Sequence, residues 1–301
     1  SKFYKFRYFN KIFKVPLEIV LPFKKKHYPW PIAINFINQS MNKIKNSDFK
    51  FFKLSENDLK KGRLILNKIG IPENAWYVTL HIRQGLQSQG HDHRNSNPLT
   101  YLKAIKEITS RGGYVFRMGD KSMTQLPQIK GLIDYPFSEY KSEFMDVFLG
   151  ATCKFCVGTS SGYYSIPIYF GKPVVLVNFL NVMEYYSLKS NDIFLPKNLL
   201  DKITKKPISI KRIFNSPIGY YGTDEEYKKN NIEILDNNDE EIKCAVLEML
   251  DNLDGNKINQ EFLNKNKKIR EELDSINNKN YEFPLRAMAH LPLNFLNKYY
   301  S

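Results

Sequence analysis

No apolar run in the 301 residues approaches the roughly 18 that a membrane-spanning helix needs. The longest early candidate, residues 15–23, is broken by Glu18 and two prolines. The first residues also lack the basic, apolar and small-residue order of a secretory leader. Cysteine is scarce: Cys153, Cys156 and Cys244 make no disulfide framework, so the expected setting is a reducing cytoplasm. No Asp-x-Asp sequence occurs, which leaves a divalent-cation clamp on a diphosphate without obvious ligands. Internal repeats and low-complexity linkers are absent too.

What is present suits a globular chain with a real core. Hydrophobic residues make up 42% and charged residues 25%, and 21 Phe and 19 Tyr supply apolar area that a disordered chain would not have. The formal charge is +14, from 45 Lys and Arg against 31 Asp and Glu. Such a surface attracts phosphates, anionic lipid or nucleic acid. Much of the excess is Lys in a chain also rich in Asn and Ile, so base composition accounts for part of it.

Residues 1–50 read as a basic, aromatic arm or the remnant of a preceding domain, because Phe3, Tyr4, Phe6, Tyr8, Phe9 and Phe13 alternate with Lys and Arg. Over residues 1–26 three readings stand: a packed arm, a contact with a membrane surface or partner subunit, and a nucleic-acid patch. The last is disfavoured by the lack of any nucleic-acid-binding motif.

From residue 51 to 301 the pattern is that of one α/β domain. Ser55 followed by acidic residues starts a helix that Gly70 stops. Residues 76–82, 114–118, 131–134, 155–158 and 173–178 read as strands, and 99–111, 142–152 and 160–170 as helices, with a short helix or turn near 122–130. Helices are also expected over 240–253, 258–276 and 284–299. Strand–helix alternation with short connections predicts a parallel, Rossmann-like sheet with helices on both faces.

Ligands of such sheets bind beyond the carboxyl ends of the strands. His81 and Arg83 follow the first strand, with His91, Asp92, His93, Arg94 and Asn95 in the loop beyond. Arg117, Gly119 and Asp120 follow the second, and Thr159, Ser160, Ser161 and Gly162 the fourth, where they open a helix. Arginine suits a pyrophosphate because its planar fork donates two parallel hydrogen bonds. A hydroxyl-rich helix start offers an oxyanion free N–H groups, or is a plain helix cap. A lone arginine at a strand end is more often a structural ion pair. Cys153-x-x-Cys156 enters a strand and reads as packing. His91-Asp92-His93 cannot converge on one metal ion without strain, so no metal and no cofactor are expected.

His81-Ile82-Arg83 with Gly85 resembles the His-x-Arg motif of fucosyltransferases that have two facing α/β domains. Asp146 to Ala151, followed by Phe155 to Gly162, resembles their later nucleotide-binding motif. More closely, the chain resembles a bacterial family of glycosyltransferases, through Asp92-x-Arg94-Asn95, Tyr101, Gly112-Gly113, Arg117 to Asp120, Asp146 and Gly171-Lys172-Pro173, over about residues 52–200. The resemblance implies the C-terminal half of a GT-B type glycosyltransferase. Its partners would be a nucleotide-sugar donor and a cell-surface glycan or lipid-linked acceptor, and it would work without metal in the cytoplasm or at the inner face of the membrane. Arg83 would hold the donor diphosphate, Ser160 or Ser161 its phosphates, and Asp146 would contact base or ribose unless it is a plain helix-face residue. Candidates for a general base are His91, Asp92, His93 and Asp120. Fucosyltransferases often continue His-x-Arg with Arg-Gly-Asp where this chain has Gln84-Gly85-Leu86, so sugar and base do not carry over. The alternative is a non-catalytic basic module that docks on a membrane or nucleic acid.

Overall fold

A computed structural model of the protein describes residues 50, 52–85, 90–181, 183–256, 260–277, 286 and 288–299. The arm read at residues 1–26 therefore lies outside the described residues.

Six parallel strands form the central sheet: β1 (Tyr77–His81), β2 (Tyr114–Met118), β3 (Leu132–Asp134), β4 (Cys156–Gly158), β5 (Val174–Phe179) and β6 (Ile193–Pro196), in the order β3-β2-β1-β4-β5-β6. All six residues of β5 are buried, as are all four of β6. These near-continuous apolar runs are what a parallel sheet covered on both faces requires. The chain leaves β1 toward β2 on one side and β4 toward β5 on the other, so the strand order reverses between β1 and β4. A crevice must open there at the carboxyl ends.

The flanking helices follow from local signals. In α1 (Glu56–Ile69) the Ser55 hydroxyl accepts the Asp58 amide at 3.1 Å, and Gly70 closes the helix at φ 89°. Next come α2 (Leu102–Ser110), α3 (Glu143–Thr152), α4 (Ser165–Tyr169) and α5 (Met183–Ser187). Right-handed crossovers place α2 on one face of the sheet and α3 and α4 on the other. Beyond β6 the chain makes an antiparallel pair, β7 (Asn198–Asp201) with β8 (Ile232–Leu235), around the short helices α6 (Ile210–Phe214) and α7 (Asp224–Lys229). Last come α8 (Asp239–Leu253), which packs on α2, then α9 (Gln260–Asn277) and α10 (Leu293–Tyr299). At the outer edge the Phe194 amide donates to the His290 carbonyl at 2.8 Å, so the segment before α10 extends the sheet. No helix of the described residues is long and apolar enough to cross a membrane.

The parallel sheet with flanking helices agrees with the sequence reading, and two helices are shorter than expected. Residues 122–130 hold turns, the second of the two alternatives read there. The helix expected over 160–170 begins only at Ser165, because residues 159–164 fold into turns first. The last helix spans only Leu293–Tyr299 of the 284–299 expected.

α8 and α10 meet at Glu248, whose carboxylate accepts the Leu293 amide at 2.9 Å while Oε2 has no partner. Burial pushes this carboxyl from 4.5 to about 7. The native state therefore holds a proton that the unfolded chain has released, and stability falls as pH rises from about 4.5 through 7. In Glu248→Gln this loss, on the order of 2 kcal/mol, should disappear. Denaturant midpoints measured across that pH range for both proteins check it.

Candidate functional site

The crevice between β1 and β4 gathers residues from three loops. β1 pairs with β2 and β4 at once, so His81 stands level with Met118 on one side and Gly158 on the other. A Cβ at Gly158 would lie 3.1 Å from Tyr164 Cβ, so the bare backbone lets the turn fold close over the strand end. That turn is bound to β1 at two points. The fully buried Thr159 hydroxyl accepts the Arg83 amide at 2.8 Å, and the Ser161 hydroxyl meets His81 Nδ1 at 3.0 Å. The His81 ring also stacks on Tyr163, with centroids 5.6 Å apart. From the third loop, Arg94 reaches Ser160, with Nε on its hydroxyl at 3.2 Å and Nη2 on its carbonyl at 2.9 Å. The Ser96 amide donates to the Arg83 carbonyl at 3.0 Å. His81, Arg83, Arg94, Thr159, Ser160 and Ser161 are thus one cluster.

Its electrostatics are unbalanced. Burial lowers the Arg94 pKa, and the nearby charge of Arg83 lowers it further. Among the described residues no carboxylate pairs with the Arg83 guanidinium, and its Nε is buried without an acceptor. Glu184, in the first turn of α5, opposes these effects on Arg94 by its charge. Tyr164 donates to its Oε2 at 2.6 Å, and burial pushes the carboxyl up although Arg94 opposes this. Arg94 thus stands between the Arg83 charge and one carboxyl that burial inclines to protonate. Two partly buried cations side by side with so little counter-charge repel each other, so the cluster favours an anion.

The loop carrying Arg94 is clamped at both ends. Asp224, at the start of α7, accepts the amides of Asp92 at 2.9 Å and His93 at 2.7 Å, and its Oδ1 meets His93 Nδ1 at 2.5 Å. These bonds hold the Asp224 carboxyl below its usual range against burial, which pushes it up. His93 is buried against the Tyr227 ring, and that burial lowers its pKa despite Asp224. At the other end the buried Lys197 ammonium donates to the Asn95 carbonyl at 2.6 Å and to Asp236 at 2.7 Å. Asn95 also bonds both backbone groups of Gly85, closing the loop on the segment after β1. Asp224→Ala is expected to leave the sheet intact and weaken anion binding through a loosened Arg94. Calorimetric titration with pyrophosphate would show it as a raised Kd.

The four base candidates occupy two places. His91, whose Nδ1 meets the Gly222 carbonyl at 2.9 Å, lies with Asp92 and His93 in the clamp. Asp120 is exposed in the turn after β2, where its carboxylate accepts the Ser122 amide at 2.9 Å. All four carry bonds that order loops.

Several nominated ligand residues stand elsewhere than the sequence suggested. Arg117 is 0% exposed and paired with Asp134 at 2.9 Å, with its other arm on Gln84 at 2.8 Å. It braces the loops after β1 and β2 and does not open to the crevice. Asp146 is ion-paired with Lys141 on the first turn of α3. Gly119 has φ 145°, and a Cβ there would strike Met123 Sδ at 2.2 Å, so it shapes a turn. A Cβ at Gly162 would meet nothing within 4 Å, so that glycine makes no close approach. The expected helix-start cradle at Thr159–Ser161 is absent: α4 has only five residues and starts later, and the three hydroxyls are bonded to Arg83, Arg94 and His81.

Among the described residues no three His, Cys, Asp or Glu side chains form a metal-binding group. Cys153 and Cys156 are buried and unpaired with each other, and burial pushes the Cys153 thiol up to about 11. Sequence reasoning missed Glu184 and Gln84. The one available signal for Glu184 was an acidic residue soon after a strand end. No protein-family model, curated protein or solved structure matches this chain.

Proposed function

We propose that the chain is the donor-binding half of a GT-B type glycosyltransferase, with the diphosphate of a nucleotide sugar seated on Arg83 and Arg94. One observation carries the reading: at the strand-order reversal of a Rossmann-ordered sheet, Arg83 is paired with no carboxylate among the described residues. Arg117 shares with it a buried Nε without an acceptor, but the Arg117 fork is closed by Asp134 and Gln84. In the reaction the bond between the anomeric carbon and the diphosphate oxygen breaks, and the electron pair leaves with the diphosphate. The two guanidiniums offset that charge inside a partly desolvated crevice, where such stabilisation is strongest. The acceptor hydroxyl, on a glycan or lipid-linked sugar, forms the new bond and gives its proton to a base on the acceptor side. Sequence motifs and charge placement both support this reading.

Calorimetric titration with a panel of nucleotide sugars tests it. One donor should bind the wild type, and Arg83→Ala and Arg94→Ala should each lose that binding. Affinity unchanged in both variants, or no binding by the wild type, would refute the assignment.

A further inference from the structure

We propose that the turn between β7 and residue 207 is a docking element for an anionic lipid surface. Its sequence, Lys202-Ile203-Thr204-Lys205-Lys206, is exposed throughout, and Ile203, at 76%, is the most exposed large apolar side chain among the described residues. An isoleucine is out of place at the tip of a polar turn, where Gly, Asn, Asp or Ser serve best. The turn is also built to stay in shape. The Asp201 carboxylate accepts the amides of Ile203 at 2.9 Å and Thr204 at 3.0 Å. The Lys205 amide donates to the Asp201 carbonyl at 2.8 Å with Lys205 at φ 57°, and the Lys202 amide donates to Asn231 at 2.8 Å. Ile203 is therefore held outward.

The charges around it are mostly positive. Lys202, Lys205 and Lys206 flank the tip, and Lys211 and Arg212 of α6 follow, 61% and 60% exposed at the side chain. Their carboxylate neighbours, Glu272 and Asp201, are 3.9 Å away, and Asp201 is already engaged by amides. Such loose exposed pairs hold little energy. A cleft lined by Arg212, Ser216 and Tyr221 opens at the foot of the turn. An apolar tip ringed by ammonium groups matches the boundary between phosphate headgroups and acyl chains. Nucleic acid would use the lysines and leave Ile203 in water, so the lipid surface is favoured. Pro217, Ile218 and Tyr221, which line this cleft, shortly precede Asp224, which clamps the Arg94 loop.

Co-sedimentation of the full chain with vesicles tests the proposal. The wild type should partition onto phosphatidylcholine vesicles containing phosphatidylglycerol, and onto pure phosphatidylcholine far less. Neutralising Lys202, Lys205 and Lys206 together to Ser should weaken partitioning on the order of a hundred-fold. Ile203→Ser should weaken it about ten-fold while the salt dependence persists. All four positions are exposed, and unchanged circular dichroism and melting would show that the variants fold. The proposal fails if the wild type ignores anionic vesicles, including the case in which it binds nucleic acid instead. It fails equally if the triple variant binds as the wild type does, which would place the lipid-binding surface elsewhere, or if Ile203→Ser changes nothing.

Discussion

Arg83→Ala is expected to remove diphosphate binding while leaving the melting temperature of the ligand-free protein unchanged or higher. The two halves of this result have one cause. Charge-assisted hydrogen bonds contribute about 1.5–3 kcal/mol each, so losing a two-pronged fork should weaken a bound nucleoside diphosphate on the order of a hundred-fold or more. For the protein alone the same guanidinium is a liability, because no carboxylate among the described residues pairs with it and its charge depresses the pKa of Arg94. Removing it relieves a repulsion. Function stored as local destabilisation leaves this signature, whereas a structural arginine would lower the melting temperature when truncated. Arg83→Lys should restore little, since an ammonium lacks the planar fork. Thermal melts and calorimetric titrations on the three proteins check each part.

Asp134→Ala should show the reverse. Arg117 is 0% exposed, and Asp134 is its counter-charge at 2.9 Å, with Asp134 Oδ2 accepting the Leu126 amide at 2.8 Å. Truncating the carboxylate strands a buried cation and an amide, for a cost of about 3–5 kcal/mol, or a drop in Tm on the order of 10 °C. Arg117→Met combined with Asp134→Leu should be less damaging than Asp134→Ala alone, because neither charge is then orphaned. Below the lowered Tm, diphosphate affinity should stay within a few-fold of the wild type. Two arginines at neighbouring strand ends thus separate into one that serves stability and one that serves binding.

That separation marks what the sequence could and could not reveal. β1, β2, β4 and β5 were legible because parallel strands buried on both faces are mostly apolar, β-branched and aromatic, and α1 because Ser55 and Gly70 punctuate it. The strands β6, β7 and β8 lie beyond residue 178, where strands and helices no longer alternate regularly to mark them. The helix after β4 was misjudged because small polar residues can cap a helix or form turns, and here hydrogen bonds to β1 and Arg94 favour the turns. Arg83 and Arg117 look alike in sequence. Their difference depends on Asp134 standing beside Arg117 across β2 and β3, which only the strand order reveals. Arg94, Ser160 and Ser161 were nominated as separate motifs, and the fold unites them with Arg83. Glu184 escaped because the stretch after β5 has no clear pattern and its relation to Arg94 is purely tertiary.

The central claim is that Arg83 is held open for a ligand's diphosphate. Calorimetric titration of wild type and Arg83→Ala with uridine, guanosine, cytidine and adenosine diphosphates, beside inorganic pyrophosphate, tests it most directly. The account predicts that the wild type binds one nucleoside diphosphate more tightly than pyrophosphate, and that both affinities collapse in a variant that melts no lower. Equal affinities in the two proteins, or no binding by a folded wild type, would contradict it.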